Sequence, residues 1–194
     1  MASTSTRRMG SIDSEMGVAM LDATEAILRD EGYAALTSRR VAEYLGVKQR
    51  LLYYYFHTMD DLVHESFRRL SIRELERLKQ AFSSDRPLHE IWDVCIHTSD
   101  ARLISEYMAL ANRNEGIRNE VIAFIEQSRK MQITALKKVM AKNGVTDSLP
   151  QAEVLAFLGT SVALALTREA ALGVKKSHQA VKKTIDKFFE TLEP

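Results

Sequence analysis

Apolar residues recur three and four positions apart along most of the chain, with short polar or Gly- and Pro-containing stretches between the runs. That period is the mark of helices that bury one face. Met16, Met20, Ala23 and Ile27, with Ala19 and Ala26 on the same face, predict a first helix that ends near Gly32. Val41, Ala42 and Leu45 share one face of a short second helix, and Thr37 or Ser38 can cap it. Gly46 interrupts the pattern, because glycine accepts the left-handed backbone of a sharp turn, and Val47, Leu52 and Phe56 resume it in a third helix. Thr58, followed by Asp60 and Asp61, predicts the cap and acidic first turn of a fourth helix of more than about twenty residues. Its stripe of Leu62, Val63, Phe67, Leu70, Leu75, Leu78 and Phe82 ends before Asp85-Arg86-Pro87. A helix of that length can belong to one domain at its start and to another at its end.

The remaining stretches follow the same rule. Pro87 opens a helix with Leu88, Ile91, Trp92, Cys95 and Ile96, and Ser99-Asp100 is read as the cap of a segment with Leu103, Ile104, Tyr107, Met108 and Ala111. Asn112 to Gly116 reads as a turn, and a long helix from about Ile117 to Lys142 ends at Asn143-Gly144. Ser148 and Gln151 form a capping-box pattern around Pro150. The helix from Val154 to Leu172 is apolar on nearly every side, with small residues at Gly159, Ser161, Ala163 and Ala165. Such a helix needs cover all round, more than one chain of this size readily provides. Val181, Ile185, Phe188 or Phe189 and Leu192 stripe the last helix, whose other face holds Lys175, Lys176, Lys182, Lys183 and Lys187 and reads as solvated surface. The predicted fold is therefore all-α with about nine helices, the last two pairing with their copies in a second chain as a four-helix bundle.

Composition narrows the class without naming a function. The 194 residues are 45% hydrophobic and 27% charged, ordinary for a globular protein, and three Pro and eight Gly favour long helices. The net charge of +1 does not announce a nucleic-acid binder. Between Thr37 and His57, however, Arg39, Arg40, Lys48 and Arg50 stand against Glu43, a local 4 − 1 = +3. Cys95 is the only cysteine, which rules out an internal disulfide or a multi-cysteine zinc site and suits a reducing cytoplasm. Residues 1–12 lack an apolar signal segment and are expected to be a disordered tail, from which Arg7 and Arg8 could reach a minor groove. Val154 to Leu166, broken by Gly159, Thr160 and Ser161, falls short of the about 20 residues of a membrane span, so no membrane partner is expected. Enzyme signals fail. His89-Glu90-Ile91-Trp92-Asp93 has Asp93 where a zinc-protease helix needs its second His, and His57, His64, His89, His97 and His178 are scattered. No catalytic residue, metal or cofactor is expected.

The informative stretch is Thr37 to His57. Two short helices joined by a turn of three to four residues make a helix-turn-helix. Its shared core of Val41, Ala42, Leu45, Val47 and Leu52 leaves Arg39, Arg40, Lys48, Gln49, Arg50, Tyr53 and Tyr54 outside. Cations neutralise phosphates, Arg and Gln can bond base edges bidentately, and Tyr hydroxyls donate to phosphate oxygens. Gln49, Arg50 and Leu51 are the base-reading candidates, because recognition helices read with their N-terminal residues. The stretch from Leu36 to Phe56, followed by Asp61-Leu62, resembles the N-terminal DNA-binding domain of the tetracycline-repressor (TetR) family, in detail over roughly residues 14 to 66. Two positions depart from the family pattern. Lys48 stands where a Ser or Thr usually follows the Gly-Val turn, and Met59 where a Lys usually opens the next helix.

The resemblance implies a helix-turn-helix domain at 13–57 and a helical ligand-binding and dimerisation domain at 58–194. It implies DNA contacts from Thr37, Ser38, Arg39, Lys48, Gln49, Arg50, Leu51, Tyr53, Tyr54, His57 and Thr58; Tyr55 can touch phosphate or pack between helices. It also implies a pocket for a small effector among the middle helices. Trp92, Ile96, Ile104, Met108, Phe124, Gln127, Met131 and Phe157 are the candidate lining, with Gln127 and Asn112 as orienting polar groups and ordinary core packing as the alternative for each. Their apolar bias points to a hydrophobic or aromatic effector. The expected function is a dimeric repressor on a palindromic operator, with recognition helices about 34–36 Å apart in successive major grooves. The alternative is a dimeric helical adaptor or ligand-binding protein with weakened DNA binding, which Lys48 and Met59 keep open.

Overall fold

The computed structural model describes residues 10–97, 101–144 and 151–193. Among the described residues the chain is all-helical: α1 (Glu15–Asp30), a 3-10 turn (Tyr33–Ala35), α2 (Ser38–Leu45), α3 (Gln49–Tyr55), α4 (Met59–Phe82), α5 (Pro87–Ile96), α6 (Ala101–Ala111), α7 (Glu115–Lys142), α8 (Ala152–Ala171) and α9 (His178–Leu192). The nine α-helices match the count and order that the apolar spacing predicts. The cap patterns at Ser99-Asp100 and Ser148, and the basic pair Arg7-Arg8, lie outside the described residues. At Gln151, the start of α8, no side-chain cap bond forms.

The chain divides into two compact units, one of residues 1–70 with 105–118, the other of 71–104 with 119–194. These compact units do not divide at residue 57, the expected end of the helix-turn-helix domain, but within α4. The first half of α4 and the ends of α6 and α7 belong with the three N-terminal helices, because their side chains complete that unit's core. Leu62, Val63, Phe67 and Leu70 from α4 join Met20, Ile27 and Leu28 from α1 as buried residues, and Tyr107 and Ile117 are fully buried in the same unit. Tyr107 donates a 2.7 Å hydrogen bond to the buried Ser66 hydroxyl and lies edge-on to Phe67. Arg69 of α4 bridges Asp22 and the buried Glu25 of α1, each at 2.8 Å. Burial raises the strength of such an ion pair and also its desolvation cost, so it fixes where α1 meets α4 more than it adds stability.

Local chemistry sets the ends of these helices. Ser14 caps α1 through the Gly17 amide and Thr37 caps α2 through the Arg40 amide at 3.1 Å. At the start of α4, Thr58 Oγ1 accepts from the Asp61 amide at 3.0 Å while Asp61 accepts from the Thr58 amide at 2.9 Å, a reciprocal capping box. Gly10 lies within the stretch 1–12 expected to be a tail, and it is described. Gly10 donates to the Tyr54 carbonyl at 3.1 Å, and a Cβ on Gly10 would sit 2.4 Å from the Tyr55 ring, so this glycine is where the backbone can cross the end of α3.

The second unit contains the rest of α4 and α7 with α5, α8 and α9. Its core joins Leu78, Leu88, Ile91, Ala135, Leu136, Val139, Ala156 and Leu192. Glu193, only 8% exposed, accepts from the Leu88 amide at 2.8 Å, the His89 amide at 3.3 Å and His89 Nδ1 at 2.9 Å. A carboxylate on the first amides of α5 meets the positive end of that helix's dipole. The helix α8 has 20 residues, so the reading that this stretch is too short to cross a bilayer is corrected: by length and composition alone it could. Ala152, Ala156, Ala163 and Leu166 tie one side of it into the unit's core. Its other side leaves Val154, Phe157, Leu158 and Leu164 between 45% and 60% exposed.

Gly46 has φ 67° and ψ 27°, and nothing lies within 4 Å of where its Cβ would be. Replacing Gly46 by Ala should therefore cost about 1 kcal/mol of unfolding free energy from backbone strain alone, and Gly46→Asn less, as read by urea denaturation.

Candidate nucleic-acid interface and effector cavity

The turn between α2 and α3 is built by its backbone. Gly46 donates to the Glu43 carbonyl at 3.2 Å and Val47 to the Ala42 carbonyl at 2.9 Å, closing α2 while Gly46 takes the left-handed conformation. The chain then re-enters a helix at Gln49, with Lys48 at the N-cap position and no side-chain cap bond there. Leu52 and Phe56 are 0% and 2% exposed, and Val41 and Ala42 of the adjoining α2 are buried as well, so α3 is seated on α2 in the unit's core. With that face down, Lys48, Gln49, Arg50, Tyr53, Tyr54, His57 and Thr58 are exposed, and Leu51 and Tyr55 are partly covered.

Hydrogen bonds sort these residues further. Ser38 is buried, and its hydroxyl accepts from Gln49 Nε2 at 2.6 Å and from the Tyr53 hydroxyl at 3.1 Å. Ser38 is thus the tie between α2 and α3, and Gln49 and Tyr53 are partly engaged in holding the helix. Arg39 pairs with Glu43 at 2.8 Å on a wide-open surface, and Arg40 pairs with Glu31 through two bonds of 2.6 and 2.9 Å. Counting Glu31 with the motif gives 4 − 2 = +2, and Lys48 and Arg50 are the cations outside these pairs. Exposed pairs of this kind are worth little, so a phosphate can take over either guanidinium at small cost. The Arg40 guanidinium holds the Glu31 carboxyl below its ordinary value. Thr37 and Thr58 are exposed caps, of α2 and α4 respectively, whose hydroxyls are committed to backbone amides. Tyr55 stands edge-on to Tyr54 with ring centres 5.2 Å apart, against Gly10.

A second feature lies wholly within the other unit: a cavity of about 230 Å³ between α5, α7, α8 and α9. Leu88, Ile91, Trp92 and Cys95 of α5, Gln132 and Leu136 of α7, Ala156, Gly159 and Thr160 of α8, and Ile185, Phe188 and Phe189 of α9 form most of its wall. Of the nine residues expected to line a pocket, Trp92 does so. Ile96 and Met131 pack beside the core clusters, and Gln127 and Asn112 are exposed. Phe157 is 60% exposed, beneath Arg129 at 5.0 Å. Ile104, Met108 and Phe124 are partly buried away from the cavity wall. The residues that sequence reasoning missed are Gln132, Thr160, Phe188 and Phe189. Their signal was weak, a polar residue inside an apolar stripe of α7 and a small-residue gap at Gly159.

The polar chemistry of the cavity is sparse. Thr160 Oγ1 lies 2.8 Å from Gln132 Oε1 and 2.9 Å from the Ala156 carbonyl. One hydroxyl proton cannot serve both acceptors, so the orientation of the Gln132 amide and of the Thr160 rotor are coupled. The Trp92 indole N–H is buried without a hydrogen-bond partner. Burial pushes the Cys95 thiol up to about 11, and the nearby Glu74 carboxylate adds to this. Around neutral pH it stays a thiol.

An exposed, partly basic helix set by a helix-turn-helix in one unit, with an apolar cavity in the other, is the design of a DNA-binding regulator. The model of the bacterial regulatory proteins of the tetR family matches residues 20–66. No curated protein matches the chain. Among solved structures, a TetR transcription regulator from Haloarcula marismortui is 21% identical with a TM-score of 0.73, covering 90% of this chain and 96% of its own. A protein from Saccharomonospora viridis in complex with choline is 16% identical with a TM-score of 0.78, covering 89% and 94%. The fatty acid degradation regulator FadR from Bacillus halodurans is 16% identical with a TM-score of 0.70, covering 91% and 95%. Residues 20–66 thus match the tetR family of bacterial regulatory proteins, and the chain has the fold of these solved structures.

With its thiol held near 11, Cys95 should react with iodoacetamide at pH 8 on the order of a hundredfold more slowly than free cysteine. The rate should climb as pH rises towards 11 and the thiolate appears, which mass spectrometry of the single-cysteine chain reads directly.

Proposed function

We propose that the protein is a homodimeric transcriptional repressor of the cytoplasm, binding a palindromic operator and released by a small hydrophobic or aromatic effector. The observation that carries the reading is α3 itself: Leu52 and Phe56 are sealed below it, Ser38 braces it from α2, and Lys48, Arg50 and Tyr54 stand outward. Arg50 and Leu51 read base edges near the start of the helix. Gln49 does so through the amide oxygen that its bond to Ser38 leaves available. Lys48, Arg39, Tyr53, Tyr54, Tyr55 and His57 take phosphate contacts, and Thr37, Ser38 and Thr58 hold the frame from which they reach.

Pairing of two chains is supported by the outer side of α8, where Val154, Phe157, Leu158 and Leu164 form an apolar row that one copy leaves in solvent. A second copy would cover it and set two recognition helices on successive major grooves. The cavity supplies the effector site. The Saccharomonospora viridis protein, similar in fold, is solved with a small molecule bound. An effector acts by binding the non-DNA-bound arrangement of the dimer better than the DNA-bound one, and its effect on the operator is limited to that difference.

Arg50→Ala should weaken binding to the DNA flanking the protein's own gene by about 1–3 kcal/mol and relax preference at one base position, measured by gel shift and footprinting. An unaltered footprint would remove Arg50 from the reading set. Sedimentation at micromolar protein should show a two-chain species, and Phe157→Glu with Leu164→Glu should give folded monomers with greatly reduced operator affinity. A wild-type chain that stays monomeric would sink the dimer.

A further inference from the structure

The walls of the cavity restrict what can occupy it. Among the described residues no Asp, Glu, Lys, Arg or His lines it. The acid that acts on Cys95, Glu74, is already bonded to Arg77 at 2.9 Å. A charged ligand would leave water here without a counter-charge, a cost that apolar contact does not recover. Covalent capture of an electrophile is disfavoured too, because the one thiol in the wall is protonated at neutral pH. What remains is an apolar space with aromatic faces at one side, Trp92 and Phe189 standing edge-on with ring centres 6.3 Å apart.

Besides the Thr160 hydroxyl, two polar groups break that apolar surface. Gln132 is 7% exposed and accepts from the Thr160 hydroxyl through Oε1, so its amide N–H pair is not the group that bonds Thr160. Trp92 is 4% exposed, and its indole N–H is buried without a hydrogen-bond partner. A buried donor with no acceptor is costly, and a ligand that supplies one recovers that cost on binding. A cavity of about 150 Å³ holds benzene, so about 230 Å³ has room for about nine or ten non-hydrogen atoms.

Building on the effector-released reading above, we infer that the cavity takes a neutral aromatic molecule of about that size bearing one hydrogen-bond acceptor, such as an aryl carbonyl or ether. The ring lies against the aromatic faces of Trp92 and Phe189, and the acceptor bonds the Gln132 amide, with the Trp92 indole as second donor after a small turn of its ring.

The test uses the full chain and three probes matched in size: acetophenone, which has the acceptor; cumene, which lacks it; and benzoate, which is charged. Choline serves as the organic cation. Calorimetry should give acetophenone an affinity about tenfold tighter than cumene, with benzoate and choline weaker than both. Trp92 is the only tryptophan, so a saturable change in its emission places the bound probe. Gln132→Leu should bring acetophenone down to the affinity of cumene while leaving cumene as it was. Cumene binding as tightly as acetophenone, benzoate or choline binding tightest, no binding at all, or a Gln132→Leu chain that keeps the acetophenone preference would each overturn the inference. If the variant does not fold, the ranking of probes on the unaltered chain decides alone. Acetophenone binding with no loss of operator affinity would uphold the ligand class and refute effector-controlled repression.

Discussion

The orientation of the reading helix rests on a single left-handed residue and the buried contact it permits. α3 has seven residues, too few to hold a helical shape in water, since nucleation is costly and so short a helix forms few internal hydrogen bonds. It is helical here because Gly46 turns the chain sharply enough for Leu52 and Phe56 to fall onto α2 and the core behind it. The bonds from Gln49 and Tyr53 to Ser38 then fix its rotation. Once that face is committed, the polar residues at the other positions have only solvent, or a duplex, to meet.

The second unit shows a different economy of residues. α8 carries small side chains on one side and large apolar ones on the other, and each side has its own use. Ala156, Gly159 and Thr160 leave volume unfilled beside Trp92 and Phe189, which is what makes a cavity where a larger set would make core. Phe157 and Leu164 face outward, with Leu158 between them and the cavity, and any arrangement that covers them is lower in energy. Glu193 anchors the α5 end of the same space through the Leu88 and His89 amides, so the cavity wall is held by a charge at a helix terminus as well as by packing.

Much of this was legible before any coordinates, and the reason is locality. Helix spacing, caps and glycine turns depend on residues three or four apart, so Thr37, Gly46 and the Thr58–Asp61 pair could be assigned from neighbours alone. The outward set on α3 followed from the same period, since fixing Leu52 and Phe56 inward fixes Arg50 and Tyr54 outward, while Lys48 is exposed as the N-cap residue ahead of the helix.

Near-neighbour patterns were enough to say which stretches are helical, where they stop and which stripe of each is apolar. Tertiary structure alone decided which part of a stripe meets a neighbour and which part meets a gap. Gln127 and Gln132 lie on one helix about 140° apart in rotation, the first within the polar run Glu126 to Lys130 and the second between Met131 and Ile133. Only the positions of α5, α8 and α9 put Gln132 at the cavity and leave Gln127 in solvent. Ser38 likewise reads as a second cap candidate until α3 is in place, when it becomes the buried tie between the two helices. A period specifies a direction on one helix, whereas a cavity is the shared absence of side chains on several, and that sum is not written in any one segment.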